Sequence, residues 1–215
     1  MLDVLVFVIV LILGYLLGSV NSSLFVGKAY GVDVREHGSG NAGMTNTLRT
    51  LGKFPAIVVT IGDMLKAVIA CAIGYYLMEY FVGDFYGYSN VGLMAGGFGA
   101  ILGHNWPVFF SFRGGKGVLT TFAFILMMDY RLGLILFLIF LILVVMFRYV
   151  SLGSISAAFA FPILAFAMRG YLGIDYMFIL FASFVALLVV VRHFANIKRL
   201  LSGNENKLGK KAKNI

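Results

Sequence analysis

Charge is what this sequence has least of. Asp, Glu, Lys and Arg make up 12% of its 215 residues, about half of what a soluble domain carries, which excludes a water-soluble globular fold. Cysteine is nearly absent: the lone Cys71 rules out an intramolecular disulfide. Of the three histidines, His37, His104 and His193, the last two have no Cys, Asp or Glu beside them at ligand spacing, which argues against a metal site using all three. No soluble segment is left to present a nucleic-acid-binding face, and nothing in the pattern calls for a cofactor.

What is there is apolar. Hydrophobic residues make up 61% of the chain and its mean hydropathy is +0.97. Several runs approach the ~17–25 residues that cross a bilayer. The pattern predicts an all-α integral membrane protein, one membrane domain over residues 1–215. Its seven transmembrane helices fall at about 2–26, 55–81, 91–110, 118–128, 131–147, 151–168 and 174–192. The run from Leu2 reads as a retained first span, not a cleaved signal. Small residues recur at four-residue spacing in Gly14, Gly18 and Ser22, in Gly92, Gly96 and Ala100, and in Gly99 and Gly103. Such rows let helices pack closely. Asp63 and Lys66 lie three apart inside the second span, and buried membrane charges at that spacing read as a structural pair.

An odd number of spans puts the termini on opposite sides. Fourteen Lys and Arg residues then share the side of the tail, against Arg131 and Arg169 on the other. That bias places the N-terminus outside and the C-terminus in the cytoplasm, with the lysine-rich end facing anionic lipid. Every glycine-rich or basic loop, and all three histidines, fall on the cytoplasmic face.

Two of those loops suit an anion. In Arg113-Gly114-Gly115-Lys116-Gly117 the glycines bring backbone N–H groups close to a ligand while Arg and Lys add fixed positive charge. In Gly38-Ser39-Gly40-Asn41-Ala42-Gly43-Met44-Thr45-Asn46 three glycines alternate with four hydroxyl or amide side chains, and Arg49 follows with a planar fork suited to phosphate. Neither loop is a nucleotide P-loop, because the Gly-Lys pairs lack the required Gly before and Ser or Thr after. A third polar break, Arg148 to Ser154, offers the hydroxyls of Ser151 and Ser154 as helix caps or ligand contacts. On the residues alone, the competing reading is a small anion transporter with basic loops at its mouth. No interrupted helix pair repeats in the two halves to support it. The last span also has no lysine for a retinal Schiff base.

Three segments together resemble one family. They are Gly38 to Asn46 with Arg49, Gly52 and Lys53; Gly103-His104-Asn105-Trp106-Pro107 through Gly117; and Asn196-Ile197-Lys198-Arg199-Leu200 with Gly203 and Glu205. In order, spacing and span layout they are similar to the bacterial acyl-phosphate-dependent glycerol-3-phosphate acyltransferases. The resemblance implies transfer of a fatty acyl group from acyl phosphate to the 1-hydroxyl of glycerol 3-phosphate in the bacterial cytoplasmic (inner) membrane. The implied partners are these two substrates, membrane lipids and the enzyme that makes acyl phosphate. By the same resemblance Ser39, Gly43, Thr45 and Asn46 hold the acyl-phosphate head group. Arg49, Lys116, Ser154, His193 and Asn196 hold glycerol 3-phosphate, with Ser151 as the alternative serine, and Lys116, His193 and Asn196 form the catalytic set. The chain departs from the family pattern at Asn21-Ser22, at Met44 and at Phe194, which stands where a basic residue commonly follows the histidine.

Overall fold

Apolar residues with no interior proline carry the first helix, α1, over Leu2–Ser19. It stops short of the expected Val26 because Asn21 starts a new helix. The Asn21 side-chain oxygen accepts from the Leu24 amide at 3.1 Å and caps α2, Ser22–Ala29, as asparagine does at this position. Then come α3 (Met44–Thr50), α4 (Lys53–Phe81), α5 (Val91–Asn105) and α6 (Val118–Met128). Helix α5 ends before the expected Phe110, just ahead of Pro107, which has no N–H to continue the ladder; Val108–Phe110 form a 3-10 turn instead. This computed structural model describes residues 1–83, 85, 86, 88 and 90–209. The expectation for the tail lysines Lys210, Lys211 and Lys213 lies outside the described residues.

The chain divides into two compact units, Met1–Met128 and Asp129–Leu208. In the first, α1, α4 and α5 meet backbone to backbone. A Cβ on Gly14 would strike the Gly96 carbonyl, one on Gly18 the backbone of Ala100, and one on Gly74 the Gly92 carbonyl. The small-residue rows are therefore the contact surfaces of these helices. Ser22 lies beyond the break and packs instead on Gly62 of α4. Nearly all of α5 is buried, yet its 15 residues rise only about 22 Å, against the ~30 Å of a hydrocarbon core.

In the second unit α7 (Tyr130–Phe147), α8 (Val150–Ala167), α9 (Arg169–Leu172), α10 (Tyr176–Arg192) and α11 (Phe194–Leu201) follow in order, with α8 packed against both α7 and α10. Asp129 caps α7 by accepting from the amides of Arg131 at 2.9 Å and Leu132 at 3.2 Å. Neither Ser151 nor Ser154 caps α8: Tyr149 occupies the N-cap without a side-chain bond. The chain bends by 59° at His193 between α10 and α11.

All named elements among the described residues are helical, and an isolated bridge joins Phe85 and Tyr88. Four stretches are long and apolar enough to cross a membrane, Leu2–Ala29, Lys53–Phe81, Tyr130–Phe147 and Val150–Ala167, and the bent α10–α11 pair makes a fifth.

Candidate active site

In the first unit, the glycine-rich loop before α3 is shaped by one side chain. Asn46 Oδ1 accepts from the Ser39 amide at 2.7 Å and the Ser39 hydroxyl at 3.1 Å. Its Nδ2 donates to the carbonyls of Val34 at 2.7 Å and His37 at 3.0 Å. Two lone pairs and two protons are all an amide has. Asn46, expected to contact substrate, thus spends its capacity on the loop and orients Ser39. Gly38 sits at φ +61 with Asn46 Oδ1 where a Cβ would be, so both its backbone angle and its surroundings require glycine. Gly43 is buried ahead of α3, and Ser39, Thr45 and Arg49 are half-buried along the same segment. The Ser23 and Thr47 hydroxyls meet at 2.8 Å and fasten α3 to α2.

The second loop, residues 106–117, is gripped by the end of α1. Tyr15 Oη donates to the Trp106 carbonyl at 2.8 Å, and the Val108 amide donates to Ser19 Oγ at 3.3 Å. The Gly115 amide donates to the His104 carbonyl at 3.0 Å. Half-buried Lys116 follows, and α6 begins just beyond Gly117.

The two loops are also joined to each other. Arg35 Nη1 donates to the carbonyls of Phe110 at 3.3 Å and Arg113 at 3.4 Å, while Asp33 holds the same guanidinium at 2.7 Å. The hydrogen bond from Arg35 keeps the Asp33 carboxyl below its usual range. Behind the loops, Asp63 and Lys66 pair at 2.9 Å, and Lys66 Nζ lies 2.9 Å from His104 Nδ1. Sequence spacing predicts the first of these contacts, and the histidine joins it through the fold.

In the second unit Glu205 is the hub. Its Oε1 accepts from Asn196 Nδ2 at 2.7 Å and Ser151 Oγ at 3.0 Å, and its Oε2 from Arg199 Nε at 2.8 Å. Burial works against its charge, but these three donors outweigh burial and hold the carboxyl below its ordinary value, as hydrogen bonds to the charged form do. Ser154 donates instead to the Val150 carbonyl of its own helix at 2.9 Å, so Ser151, not Ser154, shares a partner with Asn196. His193, nearly fully buried, has Nδ1 2.8 Å from the Val189 carbonyl. A carbonyl can only accept, so Nδ1 carries a proton.

The first unit thus carries Ser39, Gly43, Thr45, Asn46, Arg49 and Lys116, and the second Ser154, His193 and Asn196. Sequence reasoning missed the strap role of Arg35 and the hub role of Glu205. One signal was available for the glutamate: it is the sole acid after Asp175, set in a basic segment.

The glycerol-3-phosphate acyltransferase family model matches residues 8–203. A glycerol-3-phosphate acyltransferase of Thermoanaerobacter sp. (strain X514) is 40% identical over 205 residues, covering 95% of this chain and 96% of the relative. One from Halalkalibacterium halodurans is 43% identical over 198 residues, covering 92% and 93%. Among solved structures, PlsY (YgiH), an integral membrane glycerol 3-phosphate acyltransferase in its glycerol 3-phosphate form, superposes with a TM-score of 0.80 at 37% identity, covering 94% of this chain and 96% of that one. Its lysophosphatidic acid form gives a TM-score of 0.80 at 35% identity, covering 95% and 96%.

Proposed function

The chain belongs to the glycerol-3-phosphate acyltransferase family, and from that premise we propose how its residues carry out the reaction. It is a multi-pass membrane enzyme of phospholipid synthesis that acylates glycerol 3-phosphate. We take the donor to be acyl phosphate. The 1-hydroxyl oxygen attacks the acyl carbonyl carbon, the bond from that carbon to the phosphate oxygen breaks, and lysophosphatidic acid and phosphate leave.

Ser39, Gly43 and Thr45 hold the acyl-phosphate head group, with Asn46 fixing Ser39. Arg49 grips a phosphate of glycerol 3-phosphate with its fork. Lys116 stabilises negative charge as it develops at the reacting carbonyl, a role that costs 10²–10³ in rate when one such group is removed. Asn196, with Glu205 behind it, and His193 bind and orient the acceptor, together with a serine of α8. The proton passes to the substrate's own phosphate, since a phosphate monoester has a second pKa of about 6 and its dianion accepts near neutral pH. Acyl phosphate is already activated, so no nucleophilic side chain is required.

The layout we assign has seven crossings, with α5 and α6 forming a hairpin whose turn carries Arg113 and Lys116. The N-terminus is outside, the C-terminus is inside, and residues 1–215 act as one domain of the bacterial cytoplasmic membrane. Membrane lipids and the enzyme that supplies acyl phosphate are the expected partners. The charge bias along the chain supports this sidedness. Tyr88→Cys on a Cys71→Ala background should react with an impermeant thiol reagent added to intact cells; outside labelling at Ser202→Cys would overturn the layout.

The match over residues 8–203 carries this reading. Purified protein given radiolabelled glycerol 3-phosphate and synthetic acyl phosphate should form lysophosphatidic acid with no acyl-CoA or acyl carrier protein present. Phosphate uptake into empty vesicles with no acyl transfer would favour a transporter instead.

A further inference from the structure

The reaction as described makes no use of three ionisable groups buried in the first unit. Asp63, Lys66 and His104 are 1%, 7% and 3% exposed. Lys66 has only protons to offer, and each has a receiver. Nζ lies 2.9 Å from Asp63 Oδ1, 3.1 Å from the Val20 carbonyl at the α1–α2 break, and 2.9 Å from His104 Nδ1. Asp63 and Lys66 cancel each other's charge. An imidazolium beside them would leave a net buried charge, which is costly. His104 Nδ1 also lies 3.5 Å from Asp63 Oδ1, but the ammonium at 2.9 Å is the closer group and can only donate, so a neutral ring accepts at Nδ1 and carries its proton on Nε2.

The Nε2 edge faces the two active-site loops. A Cβ on Gly115 would collide with His104 Nε2 and with the Ala42 carbonyl oxygen, so both atoms lie against Gly115. The same Gly115 is bound through its amide to the His104 carbonyl, and Lys116 is the next residue. Ala42 belongs to the glycine-rich loop that Asn46 shapes.

We propose that Lys66 and His104 are positioning residues for acyl transfer. Lys66 fixes His104 as the Nε2–H tautomer, and that N–H, aimed at the Ala42 carbonyl, locks the two loops together beneath Lys116. The proposal rests on the assignment of Lys116 to the reacting centre. Misplacing such a group by about 1 Å costs on the order of 100-fold in rate.

Two kinds of measurement test it on the full-length protein in detergent. With only three histidines in the chain, selective ¹⁵N-histidine labelling resolves His104, assigned by the signal that His104→Gln removes. It should report a protonated Nε2 and a hydrogen-bonded, unprotonated Nδ1. Asp63→Asn combined with Lys66→Met, which leaves no orphaned charge, should keep the parent's thermal midpoint while kcat falls at least tenfold at saturating glycerol 3-phosphate. The single substitutions His104→Gln and His104→Asn guard against misfolding of that pair. Gln places an N–H near the Nε2 position, whereas Asn reaches only toward Lys66, so Gln should be at least tenfold more active than Asn.

A His104 protonated on Nδ1, a folded Asp63/Lys66 double variant with parental kcat, or an Asn variant as active as Gln would overturn the proposal. If the parent itself transfers no acyl group, the functional reading fails, and the ¹⁵N measurement still decides the tautomer.

Discussion

Replacing Glu205 by alanine removes the shared acceptor of Ser151, Asn196 and Arg199 in one step. The glutamate side chain is 5% exposed, so the donors it abandons lose their partner out of reach of bulk water. Hydrogen bonds to a charged group contribute about 1.5–3 kcal/mol each, and two of the three donors, Asn196 and Ser151, are themselves buried. The Arg199 side chain is 34% exposed, and solvent screening reduces its share to under about 1 kcal/mol. The total is roughly 3–7 kcal/mol, and the lower part of that span, about 3–5 kcal/mol, is what deleting one partner of a buried pair costs. At about 2–4 °C per kcal/mol for a chain of this size, thermal unfolding followed by circular dichroism should shift down by about 10 °C. Glu205→Gln keeps one acceptor oxygen and the shape, so its loss should be about half as large. Both variants should raise KM for glycerol 3-phosphate, because Asn196 is no longer aimed. The pH dependence follows from the depressed carboxyl pKa. The stabilisation is fully present above the ordinary glutamate value near 4.5 and fades only as the pH falls through the lower folded-state value. The Glu205 contribution should therefore be flat from pH 7 to 5, and the parent should be more acid-labile than Glu205→Gln relative to their neutral baselines. An alanine variant with the parent's unfolding midpoint and KM would refute the hub role.

Lys116→Ala should cost about 10²–10³ in kcat, and Arg49→Lys, which keeps the charge but loses the fork, should mainly raise KM for glycerol 3-phosphate; near-parental kinetics in both would place the site elsewhere. His193→Gln should recover much of the activity lost in His193→Ala if the ring binds and orients, whereas two equally dead variants with normal glycerol 3-phosphate binding would make it a general base worth 10²–10⁴. Gly96→Val should prevent accumulation of folded protein, because a side chain there meets the Ala70 carbonyl, while Gly170→Ala, with nothing within 4 Å, should stay within about 0.5 kcal/mol of the parent. Size-exclusion profiles and melting curves of the two glycine variants check this pair.

The helices were legible because apolar run length and small-residue spacing are local properties. The stripe through Gly14 and Gly18 marks a close helix contact, and the fold supplies α5 as the partner. Boundaries were harder where a single side chain decided them. Asn21 breaks the first apolar run by capping α2, and a hydropathy pattern does not register one hydrogen bond. In the candidate site, residue types at Ser39, Arg49 and Lys116 announced phosphate chemistry, but the division of labour did not follow from type. Asn46 reads as a ligand contact from its type, and all four of its hydrogen bonds run to the loop that carries Ser39. Ser151 lies 54 residues from Glu205, against 6 for Arg199, and finds it only through the packing of α8 and the tail, which has no local signature. The same holds for Arg35, whose targets Phe110 and Arg113 lie in another loop.

That Arg35 strap has a thermodynamic consequence. Carbonyls of the loop before Lys116 are tied to the segment that leads into the Ser39 loop, so ordering one loop lowers the entropy still to be lost in ordering the other. Under the proposed roles, with acyl phosphate on the Ser39 loop and Lys116 at the carbonyl that glycerol 3-phosphate attacks, the two ligands become cooperative, and linkage makes the cooperativity reciprocal: whatever factor the acyl donor lends to glycerol 3-phosphate affinity, glycerol 3-phosphate returns to the donor. Arg35→Ala would then uncouple the pair, leaving each substrate to bind as if the other were absent.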